Sequence, residues 1–383
     1  MVAVRSTATD DQRVVQDLVT AIAAQDTTCV ILVFASATHD TARISGALRE
    51  RWPEATVLGC TTSGEFTESG TGVGGVVALA LSSSVIVSAR GELVDFSGTG
   101  NPELTTNSVR GAVHRLQNRV GRRLSELNPG RWLGMVFIDG LHGEEEAVNL
   151  ELARRAPFLS FVGGSAGDDL RFGQTRVFCN GAEADHGAAL LLLELSVPYA
   201  VLKSCSFAPT DTVFTVTRAH PDSRTVFEFN HRPVLEAYAE AVGVDVDDLG
   251  TDVFMEHPVG IMIDGAPWIR SPLGATPDGG LGFYCQLAEG TRVHLMRHTD
   301  LVGDMRTALE KAYRDLDGKA GGAVLFNCIL RRLEMDAHQL HDPWLRLLAG
   351  QPSGGFHTYG ESWLGHLNQT CVGVLFGVPA DPE

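Results

Sequence analysis

Short apolar runs recur along the chain, each followed by a polar stretch with helical spacing. "CVILVFAS" (29–36), "WLGMVFIDG" (132–140) and "GAVLFNCIL" (322–330) read as buried strands that end in small or polar residues. After them come "THDTARISGALRERW", "HGEEEAVNLELARRA" and "LEMDAHQLHDPWLRLLAG", which close at Pro53, Pro157 and Pro352, where a helix does not easily continue. A glycine-hydroxyl segment follows in each case: "GCTTSGE" from Gly59, "GGSAGDD" from Gly163 and "GFHTYGE" from Gly355. The first and third align without a gap, which matches Gly59 with Gly355, Thr62 with Thr358, Gly64 with Gly360 and Glu65 with Glu361. A second apolar run closes each block, "GVVALAL" from 75, "GAALLLL" from 187 and "CVGVLFG" from 371. The pattern predicts a strand, helix, strand-end loop and strand used three times.

Residues 197–300 break this rhythm. "FTVTRAH", "TVFEFNH", "VGIMID", "PWIRSPL" and "GFYCQLA" read as short strands, and "RVHLMRH" as a strand leading into a helix. One amphipathic helix, "RPVLEAYAEAVG" (232–243), lies among them. The expected fold class is therefore α/β: repeated strand-helix-strand units forming layered mixed sheets, with a β-rich insert in the C-terminal half. A boundary at Val197-Pro198 gives a domain of residues 1–197 holding two units. The second domain, 198–383, has a β-rich segment at 198–300 and the third unit at 320–378.

Length and charge narrow the function. A chain of 383 residues is long for one core, and 44% hydrophobic with 20% charged residues is a globular composition. The net charge of −17, with no basic stripe, speaks against nucleic acid and against anionic membrane surfaces. Seven cysteines without a CxxC pair fit free thiols in a reducing compartment. The N-terminus lacks the apolar core of an export signal, and the longest apolar run, "GAALLLLEL" (187–195), is far shorter than the ~20 residues that span a bilayer. The expected location is the cytoplasm.

The local motifs divide between chemistry and architecture. Gly70, Gly72 and Gly75 form a G-x-G-x-x-G, but a strand follows where a dinucleotide site needs a helix N-terminus. Gly163, Ser165 and Gly167 match G-x-S-x-G; the repeat places Thr61 and His357 at the serine position, which reads as structural or ligand-lining. His294/His298 and His338/His341 have spacings that a metal can use on a helix. Cys60 and Cys328 end strands, and Arg331 and Arg332 stand close to the second, as a reactive thiolate requires. Glu65 and Glu361 suit either acid/base work or the capping of a turn.

Together, "GCTTSGE", "GGSAGDD", "FNCILR", "FHTYGE" and "HLNQT", with "PVLEAYAEAVG" and "PWIRSPLG", make nearly the whole chain resemble the FIST family, an N-terminal FIST domain followed by a C-terminal one. The resemblance implies a non-enzymatic intracellular sensor of bacteria or archaea that binds a small, amino-acid-like ligand. It also implies an alternative, since some members bind haem, sense nitric oxide and regulate a partner histidine kinase. The positions that match the family are Gly59, Cys60, Ser63, Gly64 and Glu65; Gly163, Gly164, Ser165 and Asp168; and Arg270, Cys328, Arg331, Tyr359, Gly360, Glu361 and Asn368; the expected ligand-binding set is these without Gly59, Gly163 and Gly360 and with Thr61. The chain departs from the family pattern at His231 and at "GATPDGG"; were haem bound, His231 or His257 would be its ligand. Beside the resemblance, the residues themselves read as strand-end loops converging on a polar pocket, where Arg270 or Arg331 pairs with an anionic group and the two glutamates take an ammonium or order the loops. A thiol or serine enzyme and a pure scaffold are the rival readings.

Overall fold

The computed structural model describes residues 1–25, 27–97 and 102–379. The three repeats are present. Lead strands run over Thr28–Ser36, Trp132–Ile138 and Ala320–Cys328 in repeats I, II and III. Each is followed by a helix, Thr41–Arg51, Glu145–Arg155 and Ile329–His338. Asp40 starts the first by accepting the Arg43 N–H at 2.9 Å, which satisfies one of the open donors of the first turn. Second strands, Thr56–Thr62, Phe161–Ser165 and Ser353–Thr358, lie parallel to their lead strands. Closing strands, Val76–Ser82, Gly187–Leu195 and Thr370–Gly377, pair antiparallel on the other side. The lead strands are buried on both faces, which explains why they read as continuous apolar runs rather than alternating ones.

What ties the repeats together is an exchange of short strands. After its second strand each repeat sends out a three-residue strand that joins the sheet of another. Glu65–Thr67 of repeat I pairs with Ser353–Thr358 of repeat III. Glu361–Trp363 of repeat III pairs with Phe161–Ser165 of repeat II, and Val177–Cys179 of repeat II pairs with Thr56–Thr62 of repeat I. The cycle closes, so no repeat completes its own sheet.

Equivalent residues meet at its centre. Phe34, Phe137 and Phe326, one from each lead strand, form a triangle with ring centroids 5.5, 5.7 and 6.1 Å apart. In register one residue before each, Val33, Val136 and Leu325 face Gly59, Gly163 and Gly355. A Cβ on any of these glycines would stand 1.7 Å from the facing carbonyl oxygen. The first glycine of each loop motif is thus required by backbone approach.

The compact units divide the chain elsewhere than at Val197-Pro198. One holds 1–203, 306–366 and 371–383, and the other 204–305 and 367–370. Repeat III belongs with repeats I and II because its sheet takes a strand from repeat I. The second unit is the β-rich insert. Its 14-residue strand Phe207–His220 pairs with Thr225–Phe229 and Arg292–His298. The helix Val234–Val242 buries Val234, Ala237 and Tyr238 against Val216, Phe229 and Phe283. "PWIRSPL" splits into Ala266–Arg270 and Pro272–Ala275, and "GFYCQLA" contributes only Leu281–Phe283. "RVHLMRH" is strand throughout. The helix Leu301–Asp315 begins only after Asp300, whose carboxylate accepts the Val302 and Gly303 N–H groups at 3.1 and 2.9 Å.

Candidate functional site

The loops that end the three second strands bind one another. Ser63 N–H donates to the His357 carbonyl at 3.0 Å, Tyr359 N–H to Ser165 at 3.3 Å, and Gly167 N–H to Thr61 at 3.0 Å, a ring of equivalent bonds running through all three repeats. Side chains reinforce it. The Thr358 hydroxyl lies 2.7 Å from the Ser165 carbonyl oxygen, Thr61 Oγ1 accepts the Arg176 N–H at 2.9 Å, and Ser165 Oγ donates to Glu145 Oε1 at 3.0 Å. Added Cβ atoms at Gly164 and Gly167 would stand 2.6 and 2.4 Å from the Thr358 and Ser63 hydroxyl oxygens. Small residues gather here first of all because three backbones meet.

This arrangement corrects two rival readings. Ser165 is fully buried and its hydroxyl is spent on a carboxylate, so it is not an exposed nucleophile. Cys60 and Cys328 are buried as well, and burial holds the Cys60 thiol well above its ordinary pKa, the reverse of what a thiolate needs.

The symmetry fails at the residue that follows in each loop. Glu65, Asp169 and Glu361 occupy the same position in the three repeats. Glu65 and Glu361 open the exchanged strands, whereas Asp169 lies in an irregular loop before Val177. In that loop Asp169, Leu170 and Phe172 have φ of +58°, +62° and +51°, a left-handed conformation that costs L-residues energy and clusters at functional sites. Its tethers come from every repeat. Asp168 accepts N–H groups from Phe172, Gly173 and Gln174 at 3.0, 2.6 and 3.0 Å and the Tyr359 hydroxyl as well. Tyr359 Oη accepts Leu170 N–H at 2.8 Å, Ser63 Oγ accepts Asp169 N–H at 3.2 Å, and Ser36 Oγ donates to Asp169 Oδ2 at 3.0 Å. Phe172 stacks on Tyr359 at 5.3 Å while remaining 57% exposed.

Charges of both signs surround this loop. Burial, with the charge of Asp169 adding to it, pushes Glu65 up to about 8 against its hydrogen bonds from Thr62 and Gly75 N–H. Burial also raises Asp169, opposed by Ser36, Arg332 and Arg171. Burial works upward on Asp168 too, but its four donors outweigh it and hold that carboxyl below the ordinary value. Arg332 donates to the Ser63 carbonyl at 2.7 Å. Asp169 Oδ1 is buried and has no hydrogen-bond partner, and the same holds for Nε2 of His357 in the same junction.

The remaining expected positions lie elsewhere or are otherwise engaged. Arg331 is fully buried and its Nε donates to Asn327 Oδ1 at 2.9 Å. Arg270 and Asn368 belong to the second compact unit, where Arg270 donates to the Ile269 carbonyl and Asn368 Oδ1 accepts the Cys285 thiol at 2.8 Å. His231 is exposed in a turn, and His257 is 38% exposed beside Glu256. His294 and His298 share a strand rather than a helix; His298 packs on Phe207, and His341 is bonded to Asp336. Asp169, Ser36, Glu145 and Arg332 were missing from the expected set, although the repeat alignment places Asp169 opposite Glu65. None of the expected residues lines the open cleft of about 900 Å³ that is bordered by Arg122, Arg123, Arg154 and Arg155.

Family models match in tandem, the FIST N domain over residues 29–232 and the FIST C domain over 235–363. The chain belongs to the FIST family. FIST domains are sensory domains of signalling proteins, not a family of enzymes. Relatives include Uncharacterized protein Mb0898c of Mycobacterium bovis, 30% identical over 54% of this chain and 56% of that protein. Uncharacterized protein Rv0628c of Mycobacterium tuberculosis is 28% identical over the same shares. The chain thus matches little more than half the length of these curated relatives. The strand-end junction of this FIST protein draws Ser63 and Asp168 from the stretch matched by the first model and Tyr359 from that matched by the second. Among the described residues no helix is long and apolar enough to cross a membrane.

Proposed function

We propose that this FIST protein is a non-enzymatic cytoplasmic sensor that binds a small amino-acid-like ligand at the strand-end junction, under the loop 168–176. The observation that carries the reading is the buried, unpartnered Asp169 Oδ1 on a backbone held in the left-handed region. A buried carboxylate oxygen without a donor is costly, and an ammonium group of a ligand supplies the donor. Arg332 and Arg171, which act on Asp169 electrostatically, provide the cation for a ligand carboxylate. Glu65 is less suited to the ammonium role expected of it, because its two oxygens already accept Thr62 and Gly75. Binding that loosens Asp169 from Ser36 and Ser63 would move the exposed Leu170 and Phe172, a surface change that a partner signalling protein such as a histidine kinase reads.

Thermal-shift screening of amino acids and related amines, followed by calorimetry, tests this. A ligand that raises the unfolding temperature of the full chain, and loses at least tenfold in affinity in Asp169→Asn, is the expected result. Equal affinity in the variant, or no stabilisation by any amine-bearing ligand, would overturn it.

A further inference from the structure

A second cluster stands at the end of the repeat II lead strand. Asp139 follows Ile138 and is fully buried; its Oδ1 accepts the Leu141 N–H at 3.1 Å and the Thr175 hydroxyl, and its Oδ2 meets His142 Nδ1. His186, just before the closing strand, stacks on His142 with centroids 4.1 Å apart and meets Phe96 edge-on at 5.6 Å. One ligand atom from each of Asp139, His142 and His186 lies within 4.8 Å of the others. His186 Nε2 is buried with no hydrogen-bond partner, and the nearby Glu144 Oε1 is 3.6 Å away.

The same place in repeat I shows what this cluster is not. Ser36 and Asp139 are equivalent, since their N–H groups donate to Gly75 and Gly187, the residues at the start of the closing strands. His39 therefore corresponds to His142, and Gly74 to His186. His39 is 3% exposed and uses both ring nitrogens, Nδ1 toward Asp11 at 2.7 Å and Nε2 toward the Gly74 carbonyl at 3.3 Å. That is a structural histidine. In repeat II the glycine is replaced by a second imidazole, and the His142 side chain is 50% exposed.

We propose that Asp139, His142 and His186, with Glu144 as a fourth donor, bind one divalent transition-metal ion of the zinc class. Two imidazoles with carboxylates suit that class, and not Mg²⁺ or Ca²⁺, which favour oxygen ligands. Ligand atoms around a tetrahedral zinc stand about 3.3 Å apart, so His142 Nδ1 has to give up its direct contact with Asp139 Oδ2, and rotation of the half-exposed His142 supplies the movement. Thr175 and the Leu141 N–H orient the Asp139 carboxylate from behind, as second partners of metal ligands do. Thr175 also belongs to the loop 168–176, so the ion bears on the segment that carries Asp169.

The test is titration of the chelator-treated full chain with Zn²⁺ against a chromophoric competitor, with Co²⁺ absorption as the spectroscopic check. One equivalent bound by the native chain is expected, with affinity at least tenfold lower in His142→Ala and in His186→Gln, and unchanged in the control His114→Ala. His142→Ala is the decisive variant because its half-exposed ring can go without loss of fold, as circular dichroism in the absence of metal verifies. Equal zinc affinity in native chain and His142→Ala, or no zinc bound by the native chain, overturns the proposal.

Discussion

Repeats I and II share a frame and differ in how completely it is closed. In both, a glycine lets the second strand approach a valine carbonyl, and a phenylalanine on the lead strand enters the central triangle. At the strand ends they part. Repeat I has His39 held at both ring nitrogens, Gly74 opposite it, and Glu65 opening a paired strand. Repeat II has the half-exposed His142, a second imidazole at 186, and Asp169 on a strained loop with a vacant oxygen. A repeated fold leaves some copies free of structural duty, and chemistry collects in the copy whose polar groups are left unsatisfied by the frame.

The largest expected effect falls where the repeats are alike. Gly59→Ala and Gly163→Ala each force a methyl to within 1.7 Å of a carbonyl oxygen between paired strands. Each should destabilise by more than about 4 kcal/mol, or abolish soluble expression. Urea unfolding followed by circular dichroism measures it. A tolerated alanine at one glycine but not the other would break the claim of a common frame.

Next comes Glu65, where burial in repeat I has a titration consequence. Because its folded-state pKa lies above the unfolded value, the folded state binds the extra proton between 4.5 and about 8, and stability falls as pH rises through that window. Glu65→Gln mimics the protonated acid, its oxygen accepting Gly75 N–H and its amide donating to Thr62. The variant should match the native chain near pH 4.5 and exceed it by on the order of a few kcal/mol above pH 8. Parallel pH dependence of the two unfolding midpoints would remove the buried-acid account.

These effects bear on how much of the fold is legible in the sequence. The threefold pattern was legible because lead strands buried on both faces cannot hide their apolar runs, and because "GCTTSGE" and "GFHTYGE" keep one spacing. The strand exchange was not. A three-residue strand such as Glu361–Trp363 carries no periodicity, and its partner lies about two hundred residues away in sequence. The glycine-hydroxyl loops suggest the lining of a polar pocket, yet close backbone packing selects the same small residues. Asp169 is legible in the alignment opposite Glu65, but only the structure shows that its loop leaves the strand conformation its counterparts keep. Arg270 and Asn368 were attached by motif alone, and motif does not assign a residue to a compact unit.

A middle-sized effect belongs to the repeat II loop. Asp168→Asn keeps one acceptor oxygen but turns an amide toward N–H groups that the carboxylate now accepts. Lost charge-assisted hydrogen bonds should cost about 1.5–3 kcal/mol. The cost should be local: amide hydrogen exchange at residues 169–174 accelerates while the lead strands stay protected. The sign with pH follows from the depressed carboxyl of Asp168, whose contribution is complete above its ordinary pKa and is lost as pH falls below it. Uniform acceleration across all three repeats would mean that the loop is part of the frame, not a separable cap.

The smallest effect is the sharpest comparison. His39→Ala removes a buried ring with partners at both nitrogens and should destabilise by about 1–3 kcal/mol, whereas His142→Ala, at the equivalent position, should stay within about 0.5 kcal/mol without metal. The unequal cost of two equivalent histidines, read from paired unfolding curves, separates a residue that serves the fold from one that the fold only presents. If His142→Ala proves as costly as His39→Ala, its contact with Asp139 is itself structural, and repeat II loses its claim to be the less closed copy.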